Sequence, residues 1–236
     1  MELIKVSNLT KSYGSDKKQH VVLDKLSFTV NSGEFVGFIG ETGYGKSTLM
    51  HLLGGLDKAT SGDILVEGTN IAKFVVDEAT EFRRKNIGVL YQFYNLIPSL
   101  TVEQNITFPA LLEGEILDIK HYSEIVNYLA LNNMQNRYPK ELTGFEQQCV
   151  ALARALMVKP KYILADEPTG NLSMKEQEMF LGILKKVQTK YNQTIIIFSS
   201  TKKAFVYCDK VYRLIDGKLE SSVNKWKKRF WLYTIT

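Results

Sequence analysis

The residues with the clearest capacity for chemistry lie together between positions 40 and 47. They are Gly40, Glu41, Thr42, Gly43, Tyr44, Gly45, Lys46 and Ser47, which match the pattern G-x-x-x-x-G-K-[ST] and are followed by Thr48. Glycines let a backbone curl so that its N–H groups face a phosphate. A lysine and a hydroxyl at the end of such a loop reach the β- and γ-phosphates and a Mg²⁺ ion, respectively. The spacing therefore predicts binding of a nucleoside triphosphate.

A second chemically active pair, Asp166 and Glu167, directly follows the apolar run of residues 162–165. Such a run is typical of a parallel strand that is buried on both faces. In a phosphate-loop enzyme the first acid holds the Mg²⁺ shell, and the second orients and deprotonates the attacking water. The alternative is that both acids merely cap a helix or lie on the surface. We interpret Asp166 as a metal ligand and Glu167 as the general base.

The elements that must position these residues can be predicted from apolar periodicity. An apolar strand at 35–39 and a helix at 48–53 flank the glycine-rich loop. Alternation predicts antiparallel strands at 4–6, 21–23, 26–30 and 63–66. Further helices are predicted at 77–85, 101–112, 119–131, 146–157 and 175–190, and further strands at 87–91, 194–198 and 211–215. The order of these elements predicts an α/β protein.

Composition restricts the class of protein. The 236 residues, 44% hydrophobic and 23% charged, have ordinary values for a globular protein of one large domain or two tightly joined subdomains. No apolar run approaches the ~18 residues of a membrane span, and the N-terminus lacks the build of a signal peptide, so we expect a cytoplasmic protein. Cys149 and Cys208 have no metal-ligand spacing. The net charge of +5 suits an anionic ligand or a membrane surface.

Three further stretches carry a family resemblance. They are LGGLD at 53–57, YQFYNLIP at 91–98 and LADEPTGNL at 164–172. With the phosphate loop, they make the chain resemble the ATP-binding-cassette (ABC) ATPase subunits from residue 3 to about 219, especially the branch that powers macrolide exporters, lipoprotein-releasing complexes and the cell-division regulator. The resemblance implies one P-loop ABC ATPase domain over 1–222. Its α/β core and antiparallel β subdomain would span 1–99 and 158–222, with an inserted helical subdomain at about 100–157.

The resemblance also implies roles for individual residues. Tyr13 would stack on the adenine, and residues 40–48 would bind the phosphates of ATP. Gln92 would couple the γ-phosphate and Mg²⁺ to a membrane partner, so the implied metal ligands are Ser47, Gln92 and Asp166. ATP and Mg²⁺ are the implied cofactors.

The implied partners are an integral-membrane permease, which is a separate polypeptide, and a second ABC subunit, either identical or different. The chain would bind peripherally at the cytoplasmic face of the cell membrane. The permease would contact residues 92–100, with Phe93, Tyr94 and Leu96 as anchors or, alternatively, as core residues. Nucleic acid is not expected as a partner.

Several motifs depart from the family pattern. The signature Leu-Ser-Gly-Gly-Gln, which would face the partner subunit's ATP, is here Leu142, Thr143, Gly144, Phe145 and Glu146. The Phe145 side chain is expected to crowd that γ-phosphate. Ser200 stands where the family has a switch histidine, so the implied catalytic set is Glu167, Gln92 and Ser200. Cys149 replaces an arginine, and Ser173 replaces an aspartate but can cap a helix. These departures predict an ABC-type ATPase with low turnover.

Other classes of protein stay open at this point. One is a regulatory ATP-dependent clamp on a membrane protein that transports nothing. A soluble ABC protein of translation or DNA repair usually needs two cassettes or a coiled-coil insertion, and neither is found in the sequence. A phosphate-loop GTPase or kinase is disfavoured because no Asn-Lys-x-Asp stretch occurs. The tail at 223–236, basic and aromatic, suits either a membrane interface or a frayed or packed terminus.

Overall fold

A computed structural model describes residues 1–14, 19–112, 114 and 116–220, so the tail at 223–236 lies outside the described residues. The strands are β1 (Glu2–Tyr13), β2 (His20–Asn31), β3 (Phe35–Ile39), β4 (Ser61–Val66), β5 (Thr69–Asn70), β6 (Ile87–Leu90), β7 (Tyr162–Asp166), β8 (Thr194–Ser199), β9 (Lys210–Ile215) and β10 (Lys218–Glu220). The helices are α1 (Lys46–Leu53), α2 (Val76–Asn86), α3 (Val102–Leu112), α4 (Ile119–Tyr128), α5 (Gly144–Met157) and α6 (Met174–Tyr191). None of the helices in these described ranges is both long and apolar enough to span a bilayer.

The first sheet is antiparallel, in the order β2-β1-β4-β5. The strands predicted at 21–23 and 26–30 form one strand, β2, so the predicted division into two strands is wrong. Lys25, in the left-handed region at φ 50°, interrupts the alternation there. The pairing register with β1 shifts at that point, where Leu9 pairs with Leu26 and Lys11 pairs with Leu23. A bulge therefore bends β2 without ending it.

The second sheet has the order β10-β9-β3-β8-β7-β6. Its strands pair in parallel, except for β10, which is antiparallel to β9. Strand β8 lies between β3, which leads into the phosphate loop, and β7, which ends in Asp166. The carboxyl ends of three parallel strands therefore meet at one edge, where ligands bind in open α/β sheets.

The hydrophobic core covers both faces of the parallel sheet because successive strand side chains alternate between the faces. Ile195 and Ile197 of β8 pack with helices α3 to α6, whereas Ile196 and Phe198 pack with α1 and the antiparallel sheet. The six residues of β8 are all buried. Strand β8 is thus apolar from Ile195 to Phe198 and ends in a buried hydroxyl residue, Ser199.

Helix α4 ends earlier than the predicted span of 119–131. Ala130 adopts the left-handed conformation at φ 56°, and the Leu131 amide donates to the Val126 carbonyl over 2.9 Å. This six-to-one hydrogen bond is a helix-terminating motif. Leu129 and Leu131 are nevertheless buried, which explains why their spacing resembled a continued helix.

Candidate nucleotide-binding site

The glycine-rich loop connects β3 to α1, in the context that the sequence predicts. Gly45 has φ 93°, and a Cβ on it would lie 2.7 Å from Leu23 Cδ2. Gly40 needs glycine for a different reason, since a Cβ there would lie 2.6 Å from the Leu214 carbonyl oxygen. The loop is therefore held close to neighbouring strands, in a shape that larger residues would disturb.

Lys46 is buried at the first turn of α1, with 7% of its surface exposed. Its Nζ donates hydrogen bonds to the carbonyls of Gly40, over 2.8 Å, and Glu41, over 3.1 Å. It also lies 3.9 Å from Oε1 of Glu167. The ammonium group thus lies against the backbone of the loop, where it can compensate the charge of a bound phosphate.

Ser47 and Asp166 are in direct contact. The Ser47 hydroxyl donates to Asp166 Oδ2 over 3.1 Å. Burial raises the pKa of Asp166, the Ser47 hydrogen bond opposes that effect, and the neighbouring Glu167 charge adds to it. This pairing brings a hydroxyl and a carboxylate from two ends of the sequence to one point. Both supply the hard oxygen ligands that Mg²⁺ prefers.

Glu167 turns out of the sheet directly after β7, with φ 42°. Its Oε2 accepts a hydrogen bond from the Ser199 hydroxyl over 3.0 Å, and its Oε1 accepts one from the Ser200 backbone amide over 2.6 Å. The exposed Ser200, predicted to act through its hydroxyl, meets Glu167 through its backbone. The contact through Ser199 was missed because the resemblance drew attention to the next position.

Gln92 lies beside the loop that follows Glu167. Its Nε2 is 3.4 Å from Asn171 Oδ1, and Asn171 Nδ2 donates to the Gln92 carbonyl over 2.9 Å. A Cβ on Gly170 would lie 2.8 Å from Gln92 Nε2. The structure therefore brings Gln92 to the Asp166–Glu167 side of the site. Its hydrogen bonds among the described residues are with Asn171, not with Ser47 or Asp166.

Tyr13 lies at the end of β1, with 44% of its surface exposed. Its hydroxyl donates to Asp57 Oδ2 over 2.8 Å, and Lys11 Nζ lies 4.6 Å from the centre of its ring. Lys11 also contacts Asp57 Oδ1 at 2.7 Å. Asp57, for which sequence reasoning gave no role, thus fixes the orientation of an aromatic ring with an exposed face.

The signature residues begin helix α5. Thr143 caps it, accepting from the Glu146 amide over 3.2 Å, while the Thr143 amide donates to the Glu146 carboxylate over 2.7 Å. Leu142 is buried. The ring of Phe145 packs edge-on against Phe180 of α6, with 6.5 Å between centroids. The partly buried ring is thus packed within its own subunit, and its expected crowding of a partner subunit's γ-phosphate stays a prediction.

The loop after Gln92 has one exposed aromatic side chain, whereas Tyr94 and Leu96 are partly buried. Phe93 is 71% exposed. Leu96, in contrast, packs against the core, and the Tyr94 hydroxyl lies so close to Gly144 that a Cβ there would be 2.6 Å away. Among the three expected anchors, only Phe93 therefore presents its ring to solvent. Leu96 takes the alternative, packing role, whereas Tyr94 is partly buried with its hydroxyl beside Gly144.

Helix α5 holds this loop through Arg154, which sequence reasoning also missed. Its Nη1 donates to the Asn95 carbonyl over 2.6 Å, and its Nη2 to the Tyr94 carbonyl over 3.0 Å. Burial lowers the pKa of Arg154, which the nearby Tyr91 opposes. The loop and the signature residues are thus connected through one helix.

Comparison with known proteins agrees with this geometry. The sequence profile of the family described as "ABC transporter" matches residues 23–170. The chain belongs to the ABC transporter family. The resemblance and the expected ABC ATPase fold, with its parallel and antiparallel sheets, are thereby confirmed.

ABC transporter relatives match over almost the whole chain. The lipoprotein-releasing system ATP-binding protein LolD of Blochmanniella floridana is 38% identical over 218 residues, which are 92% of this chain and 93% of that protein. The bacitracin export ATP-binding protein BceA of Halalkalibacterium halodurans is 33% identical over 228 residues, covering 95% of this chain and 90% of that protein.

Two solved structures share the architecture. The dimeric ATP-binding cassette MJ0796, bound to ADP and Pi, superposes with a TM-score of 0.83 at 32% identity, covering 94% of this chain and 98% of that chain. CbiO1 from Clostridium perfringens has a TM-score of 0.87 at 24% identity, covering 99% and 92%, respectively, which is a likeness of fold alone.

Proposed function

We propose that this chain is the ATP-binding subunit of a membrane ABC complex. It would bind Mg²⁺-ATP between two ABC subunits and drive or gate a separate permease. The observation that carries the proposal is the meeting of two motifs at one sheet edge: Ser47 Oγ is 3.1 Å from Asp166, and Lys46 Nζ is 3.9 Å from Glu167. The names of LolD and BceA support transport, and dimeric MJ0796 supports a paired subunit.

Within this proposal, each residue has one task. Lys46 places its charge against the β- and γ-phosphates, while the loop amides cradle them. Tyr13 stacks its exposed face on the adenine ring. Glu167 accepts a proton from the attacking water. The cap residue Thr143 and its α5 neighbours face the second subunit's nucleotide.

The residues present fit a Mg²⁺ ion. Ser47 and Asp166 offer oxygen ligands, and Gln92 would offer its amide oxygen because its Nε2 is directed at Asn171. Burial disfavours the negative charge of Asp166, and a cation would compensate that charge. When bound, Mg²⁺ supplies charge neutralisation for the phosphate oxygens. The remaining ligands would be phosphate oxygens and water.

We further propose slow hydrolysis. Ser200 cannot place a positive charge near the γ-phosphate as an imidazole can. Phe145, the second residue of α5, replaces the glycine of the family signature, and its ring packs against Phe180. Changing Ser200→His should therefore raise steady-state phosphate release, whereas Glu167→Gln should lower it by about 10²–10⁴. If Ser200→His releases phosphate more slowly than the wild type, the proposal is contradicted.

A groove, together with the exposed Phe93, is the proposed permease surface. It is a cavity of about 230 Å³ between β6, α3 and α5, and its lining includes Gly88, Val89, Tyr91, Pro109, Leu112 and Arg154. Leu112, at 59% exposure, extends its apolar rim. Aromatic side chains such as Phe93 supply contact area at interfaces. This surface would hold the chain at the cytoplasmic face of the membrane.

Nucleotide binding is tested by titrating a fluorescent ATP analogue into the purified chain. Lys46→Ala should abolish measurable binding, and chelation of Mg²⁺ should weaken it. Lys185→Ala is the matched control, since Lys185 forms a partly exposed ion pair with Asp209 and no contact with the phosphate loop among the described residues. Equal affinity of Lys46→Ala and the control would overturn the proposal.

Membrane docking is tested separately. Phe93→Asp should release the chain from membranes that contain the permease, with ATP binding intact. Val206→Asp, at another exposed apolar position (58%), should not. Sedimentation of Phe93→Asp with membranes would place the contact elsewhere. Transport by the reconstituted complex then separates a pump from a regulatory clamp that transports nothing.

A further inference from the structure

The carboxylate of Glu167 is held by two donors from the end of β8, and both of its oxygens are used. Ser199 Oγ is 3.0 Å from Oε2, and the Ser200 amide nitrogen is 2.6 Å from Oε1. Two donors on two oxygens fix the plane of a carboxylate, because rotating the group breaks both hydrogen bonds. The second lone pair of each oxygen is left for other partners.

The Ser199 proton has a single direction that satisfies the whole cluster. The Thr201 amide donates to Ser199 Oγ over 3.2 Å, and Thr201 Oγ1 lies 3.1 Å from the same oxygen. An ionised carboxylate only accepts hydrogen bonds, so the Ser199 proton points to Glu167. Thr201 Oγ1 is then the donor in its own contact with Ser199. Both lone pairs and the proton of Ser199 are thereby used.

The burial of Ser199 makes this contact rigid. Ser199 has no exposed surface and ends a strand whose residues are all buried. In the parallel register it pairs with Ile39, the last residue before the phosphate loop. The hydroxyl is therefore fixed relative to the loop that carries Lys46, whereas the next side chain, that of Ser200, is exposed.

We propose that Ser199 is the positioning residue for Glu167 in this chain, with its hydroxyl and the following backbone amide orienting the carboxylate that a histidine side chain would otherwise help to place. This inference rests on the proposed ATPase function and names a further residue for it. Ser199 touches the base and acts through it. The turnover that remains should consequently depend on the Ser199 hydroxyl more than on that of Ser200.

The first test measures the contact without turnover. Urea unfolding of the full chain is compared for wild type, Ser199→Ala, Glu167→Ala and the double variant. A hydrogen bond to a charged group predicts coupling of about tenfold or more in the unfolding equilibrium constant. Additive effects would overturn the proposal whatever the activity of the chain.

The second test measures phosphate release by the full chain with saturating ATP and Mg²⁺. Ser199→Ala should lower kcat about tenfold with KM for ATP unchanged, because one charge-assisted hydrogen bond is lost and no phosphate contact is touched. Ser199→Thr keeps the hydroxyl and should restore kcat. Ser200→Ala keeps the backbone amide and should lower kcat less than Ser199→Ala does.

Thr194→Ala serves as the matched control. Thr194 is a buried hydroxyl residue at the other end of β8, where it accepts a hydrogen bond from the Gly33 amide over 2.9 Å. It should lower stability but leave kcat unchanged. If Ser199→Ala and Thr194→Ala lower kcat equally, the Ser199 effect is structural and the inference is overturned.

Glu167→Gln separates the inference from the function beneath it. If Glu167→Gln lowers kcat but Ser199→Ala has the kcat of the wild type, the positioning role is overturned and the proposed ATPase function stands. A Glu167→Gln as fast as wild type would overturn the general base itself, and with it the proposed hydrolysis.

Discussion

Arg154 should control the order of the loop at residues 93–96. The loop contains two consecutive non-glycine residues in the left-handed region, Tyr94 at φ 60° and Asn95 at φ 49°. Each costs roughly 1–2 kcal/mol relative to an ordinary conformation. The guanidinium group of Arg154 donates to both of their carbonyls, over 3.0 and 2.6 Å. Its two hydrogen bonds therefore offset part of this conformational cost, beside the loop's own contact of the Tyr94 amide with the Tyr91 carbonyl.

The magnitude follows from those two contacts. A hydrogen bond to a charged group stabilises a fold by about 1.5–3 kcal/mol, and the two bonds are not fully additive, so Arg154→Met should lower the free energy of unfolding by about 3 kcal/mol. Arg154→Lys retains a charge but not the two-pronged geometry, and should lower it by about half as much. Urea unfolding of the purified chain measures both variants.

Hydrogen exchange distinguishes a loop effect from general destabilisation. In Arg154→Met, amide exchange at residues 91–97 should speed up under native conditions. Arg83→Met is the matched control, because Arg83 donates to the Gly55 carbonyl over 2.6 Å and to Thr80 Oγ1 over 2.9 Å, and neither partner belongs to the loop at residues 93–96. It should lower stability without changing exchange at 91–97. Unchanged exchange there in Arg154→Met would refute the reasoning.

Two further predictions concern Asp118 and Tyr13. Hydrogen bonds from Lys159 and the His121 amide lower the pKa of Asp118 to about 2. Because the folded-state pKa lies below the unfolded value of about 3.9, ionised Asp118 stabilises the fold above pH 4, and this stabilisation is lost as the pH falls toward 2. Urea unfolding of Asp118→Asn, measured across this pH range, should therefore depend less on pH than that of the wild type. Tyr13→Phe should weaken binding of the ATP analogue up to about tenfold, because the ring is released from Asp57. Adding Asp57→Asn to this variant should weaken binding little further. Fully additive losses would show that the two residues act separately.

The sequence was sufficient to predict those parts of the site that depend on contiguous residues. The phosphate loop and the Asp166–Glu167 pair each have a strand before them, and both strands form as expected. The helix predicted at 101–112 also forms, and the Thr101 amide donates to the Gln104 side chain over 2.9 Å at its start. Local hydrogen bonds and apolar runs carry these predictions, so no distant contact is needed.

Side-chain direction could not be predicted in the same way. Phe145 turns inward because Phe180, 35 positions later, offers an aromatic edge. Ser199 meets Glu167 because β7 and β8 are neighbours, and their register depends on the whole sheet. The resemblance assigned position 200 by analogy with a histidine side chain. Because position 200 has no imidazole, Glu167 is instead contacted by the Ser199 hydroxyl and by the Ser200 backbone amide.

The burial of β8 has a consequence for the speed of local motions. Exchange of a buried amide on a central strand requires an opening close to global unfolding, whereas exposed segments open at little cost. Ser199 belongs to the first group and Ser200 to the second. The boundary between slow and fast opening thus falls between two adjacent residues that hold the same carboxylate.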